Sequence, residues 1–220
     1  MLPENRRERF TAYAETLYQR FKTGILADLQ ERLLWVVWKP EKDQQGNIHK
    51  RPFTPRGYPA SIYKPRQWAS IATALDALST GNFAGIGLIL PAPLVLIDKD
   101  AKPNAPVYDP EKRKIVSPLA LRLVRLVPSY AELSPNNGLH IITEGTAKRG
   151  NFKTEQLEMY TNWFSTITTR QIPGASLIVT NQQLALTMLE QEVHPHVETR
   201  IQNTGGCGYR PTYRVTTASA

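Results

Sequence analysis

Apolar residues follow two different periodicities along this chain, and the switches between them mark its elements. Phe10, Tyr13, Leu17, Phe21, Ile25, Leu29 and Leu33 recur every three to four positions, which predicts one long amphipathic helix over 6–33. Leu34-Trp35-Val36-Val37-Trp38 is a continuous apolar run, the pattern of a buried strand. A loop punctuated by Pro and Gly runs on to Ser61. A helix is expected over 65–79, with Trp68, Ile71, Ala72, Leu75 and Leu78 inward and Gly81 placed to end it. The apolar stretch 86–98 reads as a hairpin. A helix over 118–127 opened by Ser117 follows, then strands over 139–143 and 156–160. The last helix is expected to begin at Thr180, with Gln183 completing a capping box and Leu184, Met188 and Leu189 as its apolar face. Residues 203–220 are rich in Gly, Thr and Ser and read as a linker or tail. Short strands pairing mainly as antiparallel neighbours among helices predict an α+β fold. The units are an N-terminal helix over 1–33, a globular domain over 34–202 and the tail over 203–220.

Composition narrows what such a fold does. A chain of 220 residues, 41% hydrophobic, is long enough for one sizeable core or two tightly joined lobes. Its single cysteine, Cys207, excludes an internal disulfide, and with only four histidines there is no cysteine cluster for a structural zinc. No apolar run is long enough for a signal peptide or a membrane span, so a cytoplasmic setting is expected. The net charge of +8 and a pI near 9.6 favour a polyanionic partner. Between Lys39 and Arg66 seven Lys or Arg stand against Glu41 and Asp43, interleaved with Phe53, Tyr58 and Tyr63. Basic and aromatic residues in one loop-rich stretch suit single-stranded nucleic acid, with Arg56, Lys64 and Arg66 as candidate phosphate contacts.

The candidate chemistry sits at the ends of predicted strands. Side chains alternate along a strand, so Asp98 and Asp100 project from the same side of its end, where two carboxylates can share divalent cations. A lone acidic pair is also an ordinary solvated turn, so the other groups along the chain decide its meaning. Ser134-Pro135-Asn136-Asn137-Gly138 is a turn leading into a short apolar strand that carries His140. In Gln156-Leu157-Glu158-Met159-Tyr160, Glu158 and Tyr160 share one face, which supplies a third carboxylate.

This order of motifs resembles the archaeo-eukaryotic primase superfamily, and most closely the primase-polymerase domains of phage and plasmid replication proteins. The resemblance spans roughly residues 33 to 170. It rests on Trp38-Lys39, Lys50-Arg51-Pro52-Phe53 and Trp68, then Gly85-Ile86-Gly87 with Asp98-Lys99-Asp100. The run from Ser129 to His140 and Leu157-Glu158-Met159-Tyr160 before Phe164-Ser165-Thr166-Ile167-Thr168 complete it. It implies a palm resembling an RNA-recognition motif, of mainly antiparallel strands with an α/β N-terminal part. The implied activity is primer synthesis or extension on a single-stranded DNA template from nucleoside triphosphates, with two Mg²⁺ or Mn²⁺ ions. Asp98, Asp100 and Glu158 would hold the metals, and His140 and Ser134 the triphosphate. Lys50 matches the family's Lys-x-Pro-aromatic pattern as a further phosphate contact, and Tyr160 and Trp163 would flank the base or sugar.

The chain departs from the family where an Arg usually precedes the Phe/Tyr-x-Thr-x-Thr stretch and a Gly closes it. Here Asn162-Trp163 and Thr169-Arg170 stand instead, which makes Arg170 the substitute for the missing Arg. The family often joins such a domain to a helicase. Two other readings use the same residues: a metal-dependent nuclease, and a replication-initiator module that binds DNA with a decayed site.

Overall fold

The structure is a computed structural model that describes residues 4–193 and 199–200; the tail expected over 203–220 lies outside the described residues. Helix α1 (Glu4–Lys22) buries Ala14, Leu17 and Phe21 along one side. The single helix expected over 6–33 ends early. Gly24 and Leu26 take left-handed backbone angles, φ +93° and 51°, and the Leu26 amide donates to the Leu177 carbonyl at 2.7 Å. A one-turn helix α2 (Ala27–Gln30) follows.

Strand β1 (Trp35–Lys42) contains the buried strand expected at Leu34–Trp38 and runs on into the segment expected to be loop, where β2 (Ile48–Phe53) pairs with it as an antiparallel hairpin. Asp43 explains it, because its Oδ1 accepts from the amides of Gln45 and Asn47 and so closes the turn. The helix expected over 65–79 divides into a 3-10 turn, Pro65–Gln67, and α3 (Ile71–Ser79). Trp68 is extended between them, and the Ser70 hydroxyl caps α3 by accepting from the Thr73 amide.

Strand β3 (Gly85–Lys99) is one bent strand, which corrects the hairpin expected over 86–98. It is followed by β4 (Tyr108–Asp109), β5 (Lys114–Ile115), α4 (Pro118–Leu126), β6 (Tyr130–Leu133) and β7 (Leu139–Glu144). Then come β8 (Phe152–Lys153), β9 (Glu158–Ile167), α5 (Gln183–Val193) and the two-residue β10 (Thr199–Arg200). The chain does not turn back at Pro91-Ala92-Pro93 because β9 pairs with β3 on both sides of those residues. The register merely shifts between Leu90 and Val95. Helix α4 starts as expected, with the Ser117 hydroxyl accepting from the Ala120 amide. Helix α5 begins at Gln183 without the expected capping box. Thr180 instead bonds to Pro128 and Ser129, and the Gln183 side chain accepts from the Thr146 amide.

Among the described residues the fold is α+β, with five α-helices and an eight-stranded sheet in which every named strand pair is antiparallel. Strand β9 lines one edge of β3; β1 lines the first half of the other edge and β7 the second half. Leu94, Leu96, Tyr130, Ile142 and Tyr160 share one apolar cluster with Leu17 and Phe21 of α1 and Leu78 of α3. The alternate residues Val95, Ile97, Ala131, Ile141 and Met159 pack with Leu123 of α4 and with Leu186 and Leu189 of α5. The sheet therefore lies between two helical layers. Among the described residues no helix is long and apolar enough to cross a membrane.

Because Leu17 is fully buried against the sheet, Leu17→Ala should lower unfolding free energy by about 2–5 kcal/mol in a urea titration. A loss below about 0.5 kcal/mol, the ordinary range of a surface change, would show that α1 is not part of the core.

Candidate active site

Five strands line up one residue each to make the site. Glu132 on β6 pairs with His140 on β7, His140 with Asp98 on β3, Asp98 with Glu158 on β9, and Glu158 with Lys153 on β8. Residues directly opposite one another point to the same face of a sheet, so these five form one charged row. It lies on the face that α1 covers, one step past the apolar residues Leu96, Ile142 and Tyr160. The core stops where the charge begins.

Asp98 is the centre of the row. Its Oδ2 lies 3.8 Å from His140 Nε2, and its Oδ1 is buried with no hydrogen-bond partner. Burial raises the pKa of its carboxyl; His140 pulls it back down, while Asp100 and Glu158 raise it further. Burial lowers the pKa of His140, yet Asp98 and Glu132 outweigh this and leave it raised. Asp100 follows the end of β3, exposed, and Lys99 between them is buried with its Nζ donating to the Asp100 carbonyl at 2.9 Å. Glu158 is held by two side chains, Lys153 Nζ on Oε1 and the Tyr160 hydroxyl on Oε2.

Among the described residues no group of three or more His, Cys, Asp or Glu stands ready-gathered around a metal position. The donor set nevertheless suits a hard divalent cation. Asp98 Oδ1 lacks any partner, Glu158 and Asp100 are oxygen donors near enough to perturb it, and Glu158 already holds a cation in the form of the Lys153 ammonium.

The expected triphosphate residues gather beside the row. The Ser134 hydroxyl accepts from the Gly138 amide at 2.9 Å, which leaves its proton as the donor it can offer a phosphate. A Cβ on Gly138 would lie 2.7 Å from the Lys99 carbonyl and 2.9 Å from Ser134 Oγ, so only glycine fits this turn. Arg170 reaches the same turn, donating to Asn137 Oδ1 at 2.6 Å and to the Ser134 carbonyl at 3.5 Å. Lys50 approaches from β2. Its surroundings desolvate it and lower its pKa, while Asp98, Asp100 and Glu132 raise it.

Arg56, Lys64 and Arg66 are exposed, as are Tyr58 and Tyr63, at 70% and 52%, whereas Phe53 is buried. Tyr160 is a buried core residue stacked on Trp163, with centroids 4.4 Å apart and planes 10° apart; Trp163 is half-buried. Trp163 is thus the more exposed of the pair.

Sequence reasoning gave no role in the row to Glu132, Lys153, Tyr13 or Arg20. Glu132 was visible in the alternation Tyr130-x-Glu132 leading up to Ser134. Lys153 had no such signal. Tyr13 and Arg20 of α1 read as parts of an amphipathic helix, yet Arg20 donates to the Thr168 carbonyl at 3.4 Å and to Thr169 Oγ1 at 3.3 Å. Burial and the charge of Glu132 raise the Tyr13 pKa.

No family model and no curated protein matches the chain.

A carboxyl whose folded pKa is raised contributes stability that is complete below the ordinary Asp value, near 3.9, and is lost as pH rises through the folded value. Asp98→Asn should therefore raise Tm at pH 7 in the presence of a chelator, with the gain vanishing below about pH 4. Mn²⁺ at a hundredfold excess over its Kd should stabilise the unaltered protein by about 2.7 kcal/mol and leave Asp98→Asn unmoved. A lower Tm for Asp98→Asn at pH 7, or equal stabilisation of both proteins by Mn²⁺, would contradict this account of Asp98.

Proposed function

We propose that the chain performs template-directed nucleotidyl transfer as a DNA primase-polymerase, of the archaeo-eukaryotic primase type that its motifs resemble. In this reading the antiparallel sheet is the RNA-recognition-motif-like palm. The observation that carries it is the register placing Asp98 between His140 and Glu158 on one face, with an Asp98 oxygen buried and unpartnered.

Nucleotidyl transfer asks little covalent work of side chains; it asks for positioning and charge. Two bound Mg²⁺ or Mn²⁺ ions would lower the pKa of the attacking 3′-hydroxyl and offset charge on the leaving pyrophosphate. Asp98, Asp100 and Glu158 would hold them. His140 would orient the triphosphate through its ring, Ser134 through its hydroxyl, and Lys50 and Arg170 as cations at the rim. Trp163 would meet the base or sugar. The template would follow Arg56, Lys64 and Arg66, its bases stacking on Tyr58 and Tyr63, whose exposure supports this role.

The test is incubation with single-stranded DNA, Mn²⁺ and labelled nucleotides, with and without an annealed primer. Extension or de novo products that disappear in Asp98→Ala and Glu158→Ala are expected. Full activity in Asp98→Ala would sink the assignment. Shortening of the DNA without triphosphates would indicate a nuclease, and DNA binding with no addition an initiator module.

Each phosphate contact on a single strand contributes about 0.7 to the slope of log K against log salt. Neutralising Arg56, Lys64 and Arg66 together should make the slope shallower by roughly 2. An unchanged slope would place the template elsewhere, on Lys112, Arg113 and Lys114 or on Lys148, Arg149 and Lys153.

A further inference from the structure

Glu132 is a fully buried carboxylate that none of the roles above uses. Its Oε2 accepts from the Tyr130 hydroxyl at 2.8 Å and from the Thr169 amide at 2.8 Å. Both oxygens lie 3.0–3.1 Å from the Thr168 amide, and Oε1 lies 3.3 Å from His140 Nδ1. The Tyr130 hydroxyl and the two amides all donate to it, and since a carboxylate oxygen accepts, the tautomer that completes the remaining contact carries the hydrogen on Nδ1 of His140. That turns Nε2 of the ring towards Asp98 and the site.

The same carboxylate holds the turn from which Arg170 departs. Thr169 stands at φ 55°, a left-handed angle that a β-branched residue seldom adopts unless its surroundings fix it. Glu132 grips that turn through two backbone amides, Arg20 braces it from α1, and the next residue sends its guanidinium to Asn137 and Ser134. A buried ion is seldom the most stabilising choice for such a position, since an apolar side chain of similar size avoids the desolvation cost. Its value lies in what it orients.

We propose that Glu132 is the positioning residue of the nucleotide site, fixing His140 by its ring and Arg170 by its backbone as one unit for the triphosphate. This rests on the nucleotidyl-transfer reading. Losing an outer group that orients a binding side chain typically costs about 10- to 100-fold in affinity or activity.

The probe is a deoxynucleoside triphosphate with a non-cleavable α,β bridge, titrated with Mg²⁺ by calorimetry, so that binding is read without turnover. Glu132→Gln should weaken it by about 10-fold or more. His140→Ala should weaken it too, and the double variant should bind roughly threefold or more better than the product of the two losses, because both act through one unit. A carboxylate that merely supports the core would give losses that multiply in full. Tyr130→Phe withdraws one donor and keeps the charge; it should weaken the probe by roughly threefold, and it decides the matter if Glu132→Gln does not fold. Unchanged affinity in a folded Glu132→Gln, or in Tyr130→Phe where the first variant is unfolded, overturns the positioning role alone. So does a double variant whose losses multiply. Absence of binding by the unaltered protein overturns the nucleotidyl-transfer reading and the positioning role with it.

Discussion

The register of β3 against β7 and β9 is the constraint on which the site depends. Asp98, His140 and Glu158 come from segments far apart in sequence, and they meet only because each is directly opposite its neighbour. A slip of one residue in any of these pairings would turn a whole strand over and send its charges to the opposite layer. The apolar alternation that packs Leu94, Leu96 and Ile142 under α1 is what forbids the slip. The same pattern builds the core and aims the carboxylates.

That arrangement puts like charges close together in a partly dry place, where Asp100 and Glu158 add to the cost of ionising Asp98. The row answers with alternation of its own. Glu132, His140, Asp98, Glu158 and Lys153 succeed one another so that the imidazole separates two acids and an ammonium closes the far end. Lys50 adds a third cation from β2. Asp98 is left with the poorest compensation, one oxygen unpartnered, and that imbalance marks it as the place where an incoming cation has most to satisfy.

Much of this was legible in the sequence, and the misses have physical causes. Strand alternation placed Asp98 and Glu158 correctly on faces because a period of two survives almost any tertiary context. The α+β class followed from the same patterns. The bend in β3 was misread as a hairpin because Pro-Ala-Pro ends most strands, and only the unbroken pairing with β9 carries the chain past it. The break in the first helix was hidden because Gly24 is a single residue, while the Leu26 angle is imposed by a carbonyl contributed by Leu177. Glu132 was overlooked for a different reason. Its importance lies in four partners drawn from β6, β7 and the turn after β9, and no local spacing encodes such a set.

Arg20 and the turn it braces are separated by 148 positions. A ribosome therefore releases α1 long before the turn that Arg20 holds, and part of the stripe formed by Ala14, Leu17 and Phe21 waits for the later strands that complete its cluster. Contacts this distant in the chain are slow to form and leave apolar surface open to other chains in the interval. Until the turn after β9 is made, α1 is thus an adhesive part of the growing chain.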